Sequence, residues 1–293
     1  MVHELKSFQY KITKKLQLPI NIYINNFYQG FFYEIYGLIK RLYLQTTRRP
    51  ATLISGIMQP LLWLFLFGSL FQYTPIGFFA KQSKYNTFLS PGIIIFTSFT
   101  GSLNAGLPII FDREFGFLNK LLTSPLKSRD SLLFSTIVFT IAITTIQIIF
   151  VILCNIFVDK DNNYNIINIT QILLIVLCTT FSTSLISTYL AFILPGHIEL
   201  LAFILIINLP MLFSSTALAP LKFMPYWLQI TAFINPLTYA IELTRFIVST
   251  DTNTWIISTI SQYLTFEEGL CILLFINIMT ILIIKNAIFY RLE

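Results

Sequence analysis

Six stretches of this sequence carry no Asp, Glu, Lys, Arg or His between their ends. They run from Ala51 to Leu70, Phe88 to Phe111, Ser131 to Val158, Ile169 to Leu194, Leu200 to Ala219 and Gly269 to Ile284. A membrane-crossing helix needs about 20 mostly apolar residues. In hydrocarbon, backbone N–H and C=O groups must bond within the protein, so only helices and closed barrels cross. Continuous apolar runs of this length select helices. The rest of the composition agrees: of 293 residues, 55% are hydrophobic and 11% charged, with a mean hydropathy of +0.74. A soluble domain carries roughly 25% charged residues. The balance excludes a soluble enzyme, a nucleic-acid-binding module and a disordered chain. The expected class is an all-α membrane protein with six transmembrane helices.

The net charge of +6 reads as sidedness, because membrane proteins gather Lys and Arg on one face. The N-terminal segment, the second connection and the C-terminus together hold 14 of the 19 Lys and Arg, against 5 in the other connections. Both termini are therefore expected on the inner side. Residues 1–50 form an N-terminal segment and 51–293 the six-span domain. Within the first, Phe31, Ile35, Leu38 and Leu42 recur at helical spacing and predict an amphipathic helix lying at the inner interface. The long outer connection, 220–268, is too apolar for a solvated loop. It predicts two short re-entrant-like helices before the last span, over Met224–Thr231 and Pro236–Ser249.

The spans offer no buried proton relay, no facing carboxylates and no His or Cys cluster for a metal. No catalytic or metal-ligating residue is therefore assigned. Gly-Lys pairs are absent, and with them the phosphate-cradling loop GxxxxGK[ST]. Directed work would need energy from another subunit. The spans do carry hydroxyls at helical spacing: Ser98 and Ser102 in the second, and Thr179, Thr183 and Ser187 in the fourth. Two readings stand, a seam of close helix packing or a mildly polar wall along a substrate path.

The inner connection reads Phe111-Asp112-Arg113-Glu114-Phe115-Gly116-Phe117-Leu118-Asn119-Lys120-Leu121-Leu122-Thr123-Ser124-Pro125. Spacing predicts one interfacial helix over 112–125, with Phe111, Phe115, Leu118 and Leu122 on its apolar face and Pro125 as its stop. The run Asp112, Arg113, Glu114 and Gly116, then Leu121-Leu122, then Ser124-Pro125, resembles the inner-loop segment of ABC-2 type transporter permeases. Phe117 and Asn119 depart from the usual Thr and Glu of that pattern. A second resemblance lies at Asn235, Pro236, Tyr239 and Arg245, the family's outer segment before the last span.

The resemblance implies an export permease powered by a separate ATPase. The implied assembly is a homodimer with two ATPase copies, which would hold the ATP and Mg; no cofactor is expected on this chain, and lipids but no nucleic acid as further partners. It also implies a coupling helix in which Asp112, Arg113, Glu114, Gly116, Lys120 and Pro125 meet the ATPase. The turn at Gly196, His197 and Glu199 is either a second contact or a plain tight turn. The substrate implied is amphiphilic: a lipid, a lipid-linked glycan or a hydrophobic drug. A Na⁺-coupled carrier and a membrane insertion factor are the alternatives. The excess of 47 Ile over 6 Val points to AT-rich coding. With the resemblance it implies a plastid membrane, inner envelope or thylakoid, with a bacterial inner membrane as the alternative.

Overall fold

The computed structural model describes residues 27–48, 50–71, 85–123, 130–158, 166–248, 255–258 and 263–292. Among the described residues, the regular structure is helical but for one pair of short antiparallel strands. Helix α1 spans Phe27–Thr47 and α2 Pro50–Leu70. Helix α3 (Tyr85–Leu103) continues through a 3-10 turn at Asn104–Gly106 into α4 (Leu107–Glu114). Then come α5 (Phe117–Thr123), α6 (Asp130–Val158), α7 (Ile166–Ile193) and α8 (His197–Phe213). A 3-10 turn at Leu221–Phe223 leads to α9 (Tyr226–Ile234) and α10 (Pro236–Val248). Strands β1 (Trp255–Ser258) and β2 (Tyr263–Thr265) precede α11 (Phe266–Leu292).

Helix α3 is the hub. It packs against α2, α6, α7 and α10, and Phe88, Ile93, Ile94, Ile95 and Phe96 are buried. Helices α2 and α11 stand on the outside. They turn Ile54, Met58, Leu62 and Phe65, and Leu274, Phe275, Ile278 and Leu282, outward. Apolar bands of that size on a folded chain suit lipid rather than water. Among the described residues, five helices are long and apolar enough to cross a membrane: Leu53–Leu70, Tyr85–Glu114, Ser131–Phe157, Ile166–Ile193 and Phe266–Ile284.

The fifth expected stretch, 200–219, behaves differently. Its helix α8 has 17 residues, about 25 Å at 1.5 Å per residue, just short of a typical hydrocarbon core. Pro210 sits near its end, and the Ser215 hydroxyl donates back to Leu212 O at 2.7 Å. The remainder, Ser214–Ala219, turns back and lies against α3. Its apolar character serves protein packing: Ser215, Thr216 and Ala217 are buried, and a Cβ on Gly92 would fall 2.8 Å from the Ala217 backbone.

The two short helices of the outer connection form at Tyr226–Ile234 and Pro236–Val248, within a few residues of expectation. The pairing of β1 with β2 is not among the sequence expectations. Thr265 and Glu268 then close a reciprocal cap on α11, with Thr265 N–H donating to Glu268 Oε2 at 2.8 Å. Helix α1 exists, and Ile35, Leu38 and Leu42 are its buried face. That face is covered by protein: α1 packs against α6, and Leu38 meets Leu118 and Leu132. The outward face is aromatic, with Phe32, Tyr33, Tyr36 and Tyr43 exposed. Residues 1–26 of the N-terminal segment, Ser124 and Pro125 lie outside the described residues.

Candidate functional site

Three consecutive side chains at the end of α4 hold three different elements. Successive residues on a helix point about 100° apart, so Asp112, Arg113 and Glu114 reach in three directions. Asp112 pairs with Arg41 of α1. Arg113 reaches the C-terminal end of α7: it donates to Ala191 O at 3.0 Å, Phe192 O at 3.4 Å, Pro195 O at 2.8 Å and also to Leu194 O. Carbonyls at a helix C-terminus lack intrahelical partners and carry partial negative charge, which a guanidinium fork satisfies. Glu114 reaches the start of α8. It accepts from the His197 backbone N–H at 2.6 Å and meets His197 Nδ1 at 2.6 Å. A carboxylate at a helix N-terminus complements the orphan amides there. Neighbouring residues thus close one helix end with a cation and the next with an anion.

The turn at Gly196 is shaped by this contact. A Cβ there would lie 2.7 Å from Glu199 Oε2 and 3.0 Å from Glu114 Oε1. The Phe111 ring sits 5.0 Å from the His197 ring, centre to centre. Gly196 and His197 therefore belong to the same cluster as the inner motif, while the Glu199 side chain stays exposed.

The predicted single helix over 112–125 is broken. Helix α4 ends at Glu114 and α5 begins at Phe117, with Gly116 between them at φ +70°. That left-handed conformation suits glycine and closes a helix C-terminus. The break rotates the expected apolar face apart. Leu118 is buried as predicted, but Phe115 is 80% exposed. Phe117 is half-turned to solvent beneath Arg41, whose guanidinium carbon lies 4.9 Å from the ring centre. Lys120 is exposed. Nothing lies within 4 Å of a Cβ built on Gly116, so the residue is needed for its backbone angle and not for space. Gly116→Ala is expected to lower stability by about 1 kcal/mol, read as a drop in thermal midpoint of the solubilised protein. An unchanged midpoint would remove the strain argument.

The second motif lies at the other end of α3. Asn235 caps α10: its Oδ1 accepts from Leu237 N–H at 2.9 Å, and its amide donates to Met211 O at 2.9 Å and Ser214 Oγ at 3.0 Å. Pro236 takes the first helical position, where a missing N–H loses nothing. The Tyr239 hydroxyl donates to Phe233 O at 2.8 Å, and burial raises its pKa above the usual phenol value. Arg245 is buried. It pairs with Glu242, donates to Thr216 O at 2.9 Å, and lies 3.8 Å from the Phe88 ring centre. Together these residues tie α10 to α3, α8 and α9. Arg41 and Glu242, the partners of Asp112 and Arg245, were not identified from sequence. The available signal for Glu242 was its place three residues before Arg245 in an otherwise uncharged helix.

The five hydroxyls of the second and fourth spans form a seam. Ser98 Oγ meets Thr179 Oγ1 at 2.9 Å, and Ser102 meets Thr183. Ser187 donates to Leu103 O and accepts from Gly106 N–H at 3.0 Å. The pairs 98/179, 102/183 and 106/187 keep one offset, so α3 and α7 run parallel in register. All five hydroxyl residues are buried, and a Cβ on Gly106 would fall 2.4 Å from Ser187 O. The packing reading accounts for this geometry.

The sequence that builds the charged elbow and the capped α9–α10 pair has relatives. Residues 33–248 match the ABC-2 type transporter family. The chain belongs to that family. Three relatives bear the name "Putative transport permease ycf38". The protein of Porphyra purpurea is 52% identical over 264 residues, covering 89% of this chain and 90% of its own. That of Pyropia yezoensis is 57% identical over 217 residues, 74% of each chain. That of Cyanophora paradoxa is 47% identical over 267 residues, covering 88% and 90%. This ABC-2 chain is a transport permease, an integral membrane protein of a plastid membrane.

Proposed function

We propose that this chain is the membrane subunit of an ATP-driven exporter, working as a homodimer with two copies of a separate ATPase. It carries an amphiphilic substrate away from the ATP side. The reading takes α8 as a short sixth span, with both termini and the Asp112–Glu114 elbow on the inner face, as the distribution of Lys and Arg favours. Helix α1 then lies at the inner interface with its tyrosine face outward, where amphipathic aromatic side chains are favoured. Nucleotide, with its Mg, belongs to the ATPase partner.

The observation that carries the reading is the three-way clamp. A lever driven from outside the membrane must not bend where it is pushed. Asp112, Arg113 and Glu114 fasten the end of α3–α4 to α1, α7 and α8, so a push at the elbow moves these elements together. Their polar groups are engaged inside the permease. The contact with the ATPase therefore falls on what the bend exposes: Phe115, Phe117 and Lys120, with Ile198 and Glu199 from the start of α8. Aromatic anchors within a polar rim are the usual makeup of a strong contact. Phe115→Asp is expected to weaken co-purification of a Walker-motif subunit from native membranes by about tenfold or more, a hot-spot loss of about 2 kcal/mol. Absence of any such subunit from the wild-type pulldown would overturn the ATP-driven reading. Its undiminished recovery with Phe115→Asp would move the contact elsewhere.

A further inference from the structure

On the face of α3 away from the hydroxyl seam, a cavity of about 340 Å³ lies between α1, α2, the α3–α4 junction and α6. That volume lies within the roughly 300–1,000 Å³ of small-molecule sites. Its walls are largely apolar, with Leu42, Phe111 and Phe139 among them. Set into these walls are Gln45, Gln59, Thr100, Asn104, Thr140 and Gln147; none of the lining residues is charged.

Gln147 is the deepest of the amides. It comes from the middle of α6, is 5% exposed, and its Oε1 has no hydrogen-bond partner among the described residues. A buried acceptor left unmade is costly, and in a folded protein it wants a ligand or solvent. Two glycines make room for this amide. A Cβ on Gly56 would lie 2.5 Å from Gln147 Nε2, and one on Gly101 3.0 Å from Oε1. At the mouth, Ser55, Gln59 and Asn104 are exposed. Gln59, the amide of a largely apolar span, stands on its outward side beside exposed Met58 and Leu62. Amides facing hydrocarbon are unfavourable unless something polar reaches them.

We propose that this cavity holds the uncharged, hydroxyl-rich head group of a membrane amphiphile, such as a glycosyl diacylglycerol, entering sideways from the leaflet at the elbow end. Amides and hydroxyls both donate and accept, which matches a sugar. An anion or a cation would meet no countercharge in a low-dielectric wall. The apolar walls continue to a mouth on the lipid-facing side, where acyl chains stay in the bilayer. The assignment rests on the permease reading for its context, but binding needs only this chain.

The test uses the full chain in phosphatidylcholine nanodiscs carrying equal mole fractions of monoglucosyl diacylglycerol and phosphatidylglycerol. Native mass spectrometry of the released protein counts the lipids retained. The glucosyl lipid is expected at about tenfold preference, and Gln147→Leu and Gln59→Leu are each expected to reduce that preference about fivefold, the scale of one lost hydrogen bond. Because Gln147 Oε1 has no hydrogen-bond partner among the described residues, Gln147→Leu is expected to keep or raise the thermal midpoint while losing the lipid, an outcome a structural role would not produce. Equal retention of both lipids, preference for the anionic one, or preference unchanged in both variants would overturn the proposal. So would displacement by soluble methyl glucoside at the same molar amount, which would make the source an aqueous sugar. Recovery of the ATPase subunit is measured separately, so loss of this site leaves the export reading standing, and the reverse.

Discussion

Arg113→Ala is expected to give the largest loss of coupling of any single change in the elbow. The side chain holds four carbonyls at the end of α7 and the turn beyond it. Charge-assisted bonds contribute about 1.5–3 kcal/mol each in favourable cases, but they share one group and are not additive. A total of about 3 kcal/mol is the reasonable scale for bonds of this kind. Arg113→Lys should recover little, because an ammonium is a point charge and cannot span several carbonyls as a planar fork does. On the proposed ATP-driven reading, the expected result is a permease that still captures the ATPase subunit, since Phe115 and Phe117 are untouched, but no longer transmits its movement. Substrate-stimulated hydrolysis should fall toward the basal rate, with the thermal midpoint lowered. Full stimulation in Arg113→Ala would show that the clamp is not the transmitting element.

Glu242→Ala is expected to be more damaging than the loss of both charges of its pair. Glu242 and Arg245 retain only 12% and 10% of their side-chain exposure. Removing one partner of a buried pair leaves an uncompensated charge, which costs about 3–5 kcal/mol. Replacing both by apolar groups of similar volume is often neutral. Arg245 has further attachments, to Thr216 O and to the Phe88 ring, so the double variant Glu242→Leu/Arg245→Met should retain part of the defect. Folded yield and thermal midpoint in detergent measure this. The order expected is wild type, then the double variant, then Glu242→Ala as the least stable. A single variant as stable as wild type would show that the pair is solvated in the membrane-bound protein.

The hydrophobic pattern was legible because it depends on solvent exclusion and not on partners. Spacing puts Phe31, Ile35, Leu38 and Leu42 on one apolar face of an interfacial helix; Ile35, Leu38 and Leu42 are buried and Phe31 is half-buried, and what covers them, α6 and Leu118, is a question that periodicity does not address. The same limit explains Ser214–Ala219. An apolar stretch reads alike whether lipid or protein surrounds it, and here Ala217 lies against Gly92. Within 112–125, helical spacing linked Phe115 to Phe111 and Leu118. It missed the break because a glycine at helical spacing looks ordinary until the chain needs a positive φ.

Sequence alone determined the membrane class, the approximate positions of five of the six expected apolar helices, the two short helices to within a few residues of Met224–Thr231 and Pro236–Ser249, and the family, since all of these follow from local composition and short-range motifs. Only the tertiary structure decided which charges meet. The partners of Arg113 are main-chain carbonyls some eighty residues away, that of Asp112 is Arg41 and that of Glu114 is His197. Main-chain groups are chemically alike at every position, so no sequence pattern marks the ones a distant side chain will reach.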